Sequence, residues 1–179
     1  RYDVDRLPPR SETDIDLVRV CSYEEQLDEA LEKCRGLKDL GYEVSLNVIC
    51  TSYIDVDSFV KIREKLLTED FLDFVCFADS YGALTPDYVK KIMTLFRNMN
   101  PNVLIGFHSH DNMSMSMANT ITAIENGADM VDGTYTGIGR GGGNLRLELI
   151  TLYLALNKNY DAFNLSELFE YLDVYITDE

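Results

Sequence analysis

The sequence predicts an α/β fold built on a parallel sheet. Three observations point to it. Five short apolar runs read as strands, and each is followed by a segment whose apolar residues recur at helical spacing. Successive runs lie about 30 residues apart, the length of a strand plus its crossover helix. With a helix after every strand, the strands should run parallel and be covered.

The elements can be justified in order. Residues 1–14 are polar and contain Pro8-Pro9, which blocks helix, so they read as an irregular lead-in arriving from something else. Residues 15–21 are the first strand. Ser22 is placed to cap a helix over 23–40, whose Leu27, Ala30, Leu31, Cys34 and Leu37 share one face before Gly41 ends it. The unit then repeats, with a strand at 43–49 and a helix near 57–68. A third strand covers 71–78. Thr85 and Pro86 supply an N-cap and first helical residue for a helix running to about 98. A strand at 103–107 precedes a helix near 114–126, stopped by Gly127. A strand at 129–134 leads into a glycine loop and a helix near 145–157, and a last helix covers about 166–176.

The chain has 179 residues, 46% of them hydrophobic, enough for one domain with a real core, taken as 1–179. Two arrangements satisfy the pattern: an open doubly wound sheet, or part of a (β/α)8 barrel. A whole barrel typically takes ~250 residues, so this chain does not close one in the usual way.

Composition narrows the function. The net charge of -15 and the lack of a Lys/Arg cluster argue against a nucleic-acid partner. No apolar run approaches the roughly 20 residues of a membrane span, and residues 1–14 hold no apolar stretch of the kind a secretory leader carries, so secretion is not expected. Cys21, Cys34, Cys50 and Cys76 form no C-x-x-C, and Cys21, Cys50 and Cys76 lie in or beside apolar runs. They read as core thiols of a reducing, cytoplasmic compartment.

The two histidines, His108 and His110, stand one residue apart at the end of a strand, followed by Asp111 and Asn112. Alternation along a strand points both imidazoles the same way, as two ligands of one cation would be presented. C-terminal strand ends are also where sites form in both candidate folds. Two nitrogens leave the metal open. Asp79 and Ser80 end another strand at the same rim and suit either ligand contact or capping of the turn at Tyr81-Gly82. The loop TGIGRGGGN, residues 136–144, permits close backbone approach and leads into a helix, so it suits a carboxylate or phosphate. Gly137, Gly139 and Gly142 spell the dinucleotide pattern, but after the last strand rather than the first. Asp161, at the spacing of its acidic partner, does not end a strand. Arg19, inside an apolar strand, calls for an interior ion pair, with anion binding as the alternative. Met113, Met115 and Met117 read as the packed start of a helix.

The stretches HSHDNMSMSMAN and ENGADMVDGTYTGIGRGGGN resemble the metal-dependent aldolase and Claisen-condensing TIM-barrel enzymes related to hydroxymethylglutaryl-CoA lyase, the 4-hydroxy-2-oxovalerate aldolase branch most of all. The resemblance runs from about Asp16 to Glu148. It implies an incomplete barrel covering about strands 4 to 8 of the eight. His108 and His110 would hold a catalytic Mn²⁺ or Mg²⁺, and His108 would also lie against a 2-oxo acid substrate. Ser80 would contact the substrate carboxylate, with Asn144 near the ion. Asp79, Asn112 and Arg140 are further candidates. Arg140 stands where a small residue is expected. The Arg-Asp pair of the family's first strand, and the general base near it, have no counterpart in this chain. The implied reaction is retro-aldol cleavage to pyruvate and an aldehyde, in an enzyme that could form homo-oligomers. An acyl-CoA condensing enzyme or lyase of the same superfamily is one alternative; a non-catalytic binding or assembly module is another.

Overall fold

Five parallel strands lie side by side in the order in which they occur in the chain. The structure is a computed structural model and describes residues 4–160 and 162–176. The strands are β1 (Leu17–Ser22), β2 (Glu43–Val48), β3 (Phe74–Asp79), β4 (Leu104–Ser109) and β5 (Met130–Asp132). Helices α1 (Leu27–Asp39), α2 (Val56–Leu66), α3 (Pro86–Phe96) and α4 (Ser116–Glu125) connect them, and α5 (Leu147–Lys158) and α6 (Leu165–Ile176) follow. Parallel crossovers are right-handed, so a sequential order puts every connecting helix on the same face. A doubly wound sheet would reverse direction and carry helices on both faces. The order therefore selects the barrel arrangement, here an incomplete barrel.

The two faces of the sheet differ in chemistry. Val44, Leu46, Val48, Val75, Phe77, Ile105 and Phe107 alternate toward the helices and form the core with Leu31, Phe59, Ile62, Val89 and Phe96. Phe77 stacks against Phe96, with ring centroids 4.4 Å apart, and against Phe59 at 5.9 Å. The intervening residues face the other way. Register aligns Cys21 with Asn47, Asn47 with Cys76, Cys76 with Gly106 and Gly106 with Met130. Ala78, His108 and Asp132 form the next row.

This second face is concave. Four inter-strand steps of ~4.8 Å would hold the edge strands of a flat sheet ~19 Å apart. Yet Arg19 on β1 reaches Asp132 on β5, with Nη1 2.7 Å from Oδ2 and Nη2 3.1 Å from Oδ1. Only a strongly curled sheet lets these side chains meet. Gly106 makes room inside the curve, since a Cβ there would lie 2.9 Å from the Met130 methyl and 3.1 Å from Cys76.

Several local expectations change. Ser22 is the last residue of β1, not a cap; its hydroxyl donates to the Tyr23 carbonyl, and a 3-10 turn, Glu24–Gln26, leads into α1. Thr85 and Pro86 do begin α3, but without a side-chain cap bond. The described part of the lead-in is anchored: it forms 3-10 turns at Val4–Arg6 and Arg10–Glu12. Tyr42 donates to the Pro8 carbonyl, the Arg10 amide donates to Leu40, and Val4 and Leu7 pack on the core. Cys34 and Cys76 are buried, but Cys21, in the same register row as Cys76, is exposed because β1 is paired on one side only while β3 lies mid-sheet. For the same reason Arg19 is not interior; its side chain keeps 34% exposure. β5 is only three residues long, because Gly133 and the glycine loop leave the sheet early. Met113 is exposed and Met115 precedes α4, so only Met117 belongs to the helix. Asp161 lies outside the described residues.

Candidate active site

The rim at the C-terminal ends of the strands is built by three loops locked together. After β4 the chain continues His110-Asp111-Asn112, and the glycine loop folds back onto it. His110 and Asn144 form an isolated antiparallel bridge. The Asp111 amide donates to the Gly143 carbonyl at 2.9 Å, and the Leu145 amide donates to Ser109 at 3.1 Å. Asn112 uses both ends of its amide as a clasp. Its Nδ2 donates to the Tyr81 carbonyl at 2.7 Å, and its Oδ1 accepts from the Gly142 amide. Gly82 permits the approach of the loop after β3. Its φ is +55°, and a Cβ would sit 2.6 Å from the Asn112 amide nitrogen.

The two imidazoles end up on this rim. Their ring centroids are 5.1 Å apart and the planes cross at 77°. The Nδ1 of His110 is buried with no hydrogen-bond partner. Burial, and then the neighbouring His108, push the His110 pKa down, only partly offset by the carbonyls of Gly143 and Arg140. A neutral imidazole with an unpaired nitrogen is the form that ligates a cation. The Oδ1 of Asn144 is also buried and unpaired, while its Nδ2 donates to the Ile138 carbonyl at 3.1 Å. Neither atom has a partner within the chain, and an imidazole nitrogen and an amide oxygen are both groups that can ligate a divalent cation. Among the described residues no three of His, Cys, Asp and Glu gather around one point, so the donors on this rim are imidazole and amide.

The other candidates separate. Ser80 lies at the rim, and its Oγ accepts from the Cys50 amide at 2.9 Å. Asp79 is fully buried, and its carboxylate accepts from the Ala83 and Leu84 amides at 3.0 and 2.9 Å. That is the turn-capping alternative: both carboxylate oxygens are engaged in shaping the loop. Asn112 is occupied in the same structural sense. Arg140 is exposed in the glycine loop.

Sequence reading missed Asp132. It is the register partner of His108, and its Oδ2 lies 3.2 Å from His108 Nδ1. Arg19 holds the same carboxylate. Burial opposes ionisation of Asp132, but hydrogen bonds from His108 and Arg19 and the Arg19 charge outweigh it and hold its pKa at about 2. The available signal was its place at the end of β5, the strand that follows the histidines, 24 residues beyond His108.

Backbone strain collects here too. Of the non-glycine residues with positive φ, Asn98 and Asn159 are asparagines, which tolerate that region. The others, Cys50, Ser114 and Thr136, follow β2, β4 and β5. Strain of this kind clusters at functional sites. A cavity of about 760 Å³ opens on the helix side, lined by Phe59, Arg63, Tyr88, Lys91 and Leu95 of α2 and α3. It shares no residue with the rim, and volume alone is a poorer guide than the chemistry gathered at the strand ends.

Known proteins agree with this geometry. The chain is 30% identical over 164 residues to the 4-hydroxy-2-oxovalerate aldolase of Thermomicrobium roseum, covering 90% of this chain and 46% of the relative. It is 27% identical over 156 residues to the oxaloacetate decarboxylase of Mycobacterium tuberculosis, covering 87% and 46%. The N-terminal domain of a candidate aldolase from Bacteroides vulgatus superposes with a TM-score of 0.75 at 28% identity, covering 96% of this chain and 62% of that one. The chain spans about half the length of the curated relatives it matches. Among the described residues no helix is long and apolar enough to cross a membrane. The HMGL-like family model matches residues 3–174, nearly the whole sequence, and the chain belongs to that family.

Proposed function

We propose that this chain carries the metal-binding part of a lyase that cleaves a 4-hydroxy-2-oxo acid to pyruvate and an aldehyde. The observation that carries the reading is the pair of imidazoles, 5.1 Å apart on the strand-end rim, where Nδ1 of His110 and Oδ1 of Asn144 are both buried without a partner. Similarity to a 4-hydroxy-2-oxovalerate aldolase supports the choice of reaction.

His108 and His110 would hold Mn²⁺ or Mg²⁺, with the Asn144 amide oxygen beside them. When bound, a divalent cation polarises the ketone oxygen and stabilises the charge that develops there as the carbon–carbon bond breaks. The residues of this chain bind and orient. Ser80 accepts from Cys50, which leaves its hydroxyl hydrogen to donate to the substrate carboxylate. The clasp at Asn112 holds the glycine loop over the rim. Arg140, exposed in that loop, is a candidate to meet the far end of the substrate. The reading requires a further ligand and the proton-transfer base from elsewhere in the full-length protein, which we assign to the cytoplasm.

Oxaloacetate decarboxylation is a second reading, favoured by the similarity to the mycobacterial decarboxylase. Both reactions break the bond between C3 and C4 of a 2-oxo acid and leave the enolate of pyruvate. The test supplies Mn²⁺ to the full-length protein with 4-hydroxy-2-oxo acids, with oxaloacetate, or with acetyl-CoA and a 2-oxo acid. Pyruvate release from the hydroxy acids is expected. Turnover only with acetyl-CoA, or activity that survives His108→Ala, would remove the proposal.

A further inference from the structure

We infer that Asp132 is a positioning residue for His108, and that Arg19 locks Asp132 in place across the concave face. The function of His108 rests on the reading above; its orientation does not.

The argument starts from the carboxylate. Asp132 Oδ2 faces two donors at once, Arg19 Nη1 at 2.7 Å and His108 Nδ1 at 3.2 Å. Oδ1 takes the second arm of the guanidinium at 3.1 Å. Paired with arginine in a fork, the carboxylate is ionised, and an ionised carboxylate only accepts hydrogen bonds. The His108 Nδ1 must therefore carry the hydrogen. That fixes the tautomer and leaves the lone pair on Nε2, the nitrogen free to meet a cation or substrate. A carboxylate behind a ligating imidazole both orients the ring and raises its basicity.

Arg19 does what Asp132 could not do alone. β5 is only three residues long, and its last residue is Asp132. Without a strap the side chain could turn toward solvent. Arg19 comes from the opposite edge strand, in a separate part of the sequence, and its planar fork fixes both oxygens. It also contacts the Met130 sulfur at 3.3 Å, which seats the guanidinium along β5. Lysine could supply the charge but not the fork. A purely structural ion pair would need no imidazole on its carboxylate. The register places His108 directly beside Asp132, so curvature and orientation of the imidazole are set by the same pair.

The test reads the tautomer directly. Long-range proton–nitrogen correlation spectra of ¹⁵N-labelled full-length protein at neutral pH, assigned with His108→Gln, should show His108 protonated at Nδ1. In Asp132→Asn the population should shift to the Nε2-protonated form, with Arg19→Lys intermediate and Asp132→Glu restoring most of the wild-type pattern. Calorimetric titration with Mn²⁺ alone should show affinity reduced roughly 10–100-fold in Asp132→Asn, the usual effect of losing such a partner. An Nε2-protonated His108 in the wild type overturns the inference, and that measurement needs no variant to fold. An unchanged tautomer or unchanged Mn²⁺ affinity in Asp132→Asn overturns it as well. A wild type that binds no Mn²⁺ but shows the Nδ1 tautomer removes the metal reading and upholds the positioning.

Discussion

His108 and Asp132 are register partners on neighbouring strands, and the Asp132 carboxylate lies 3.2 Å from the imidazole Nδ1. The contact ties the candidate site to the curl of the sheet, because the same carboxylate is gripped by Arg19 from the far edge. A change at either end should be felt in both stability and site.

The first prediction concerns acid. Asp132 has its pKa held at about 2, below its ordinary 3.8. A carboxyl depressed in the folded state stabilises the fold fully above its unfolded pKa and loses that contribution as pH falls toward the folded one. The window is therefore about pH 4 down to about pH 2, and the contribution lost is roughly 2 kcal/mol. Urea melts of wild type and Asp132→Asn should converge by that amount across the window. A constant gap would show that the pair is not what holds the carboxyl down.

Thiol chemistry should sort the cysteines by burial. Burial pushes the Cys34 and Cys76 thiols up to about 12, while Cys21, on β1, is exposed. The thiolate is the reactive form, so at pH 8 Cys34 and Cys76 should alkylate at least ~100-fold more slowly than Cys21. Mass spectrometry of iodoacetamide-treated native protein checks this residue by residue.

The aromatic cluster under β3 should dominate core stability. Phe77 is fully buried and stacked on Phe59 and Phe96. Phe77→Ala should cost about 3–5 kcal/mol in a denaturant melt, and Phe77→Leu much less, since most of the volume is kept.

The clasp can be opened without touching either histidine. Asn112→Ala removes the bonds to Tyr81 and Gly142, and should cost about 1–3 kcal/mol locally. Amide exchange at Gly142 should accelerate at least ~5-fold while amides of β3 and β4 exchange as before. Uniform acceleration would mean global destabilisation instead.

Gly82→Ala tests the same junction through the backbone. The residue has φ +55° and no room for a Cβ against the Asn112 amide and the His110 carbonyl. A melt should show a loss above ~1 kcal/mol, since alanine is disfavoured at positive φ even before the clash. The His110 ring signals should shift with it. A variant as stable as wild type would mean that the loops after β3 and β4 can separate freely.

How much of this was legible beforehand depended on whether the signal was local. The alternation of apolar runs and helical periods revealed all five strands and their parallel sense, since each is written within a few residues. The H-x-H at the end of β4 and the glycine loop after β5 were legible for the same reason. Strand ends were read less well. Ser22, expected as a cap, belongs to β1, because pairing with Val48 extends the strand past its apolar run. Asp79 offered two local readings, and the capping bonds to Ala83 and Leu84 became visible only in the packed turn.

The sequence by itself determined the elements, their order and the residue types carried to one rim, because periodicity, caps and strand alternation are properties of neighbours along the chain. Periodicity left two arrangements open, and the resemblance pointed to the incomplete barrel that the strand order bears out; the tertiary structure alone decided what stands behind His108. Arg19 and Asp132 are 113 residues apart, on strands with three others between them. Nothing in either local pattern names the other. They meet because sequential right-handed crossovers put the connecting helices on one side, and the sheet, covered on that side, curls its polar face inward until its edges come within reach.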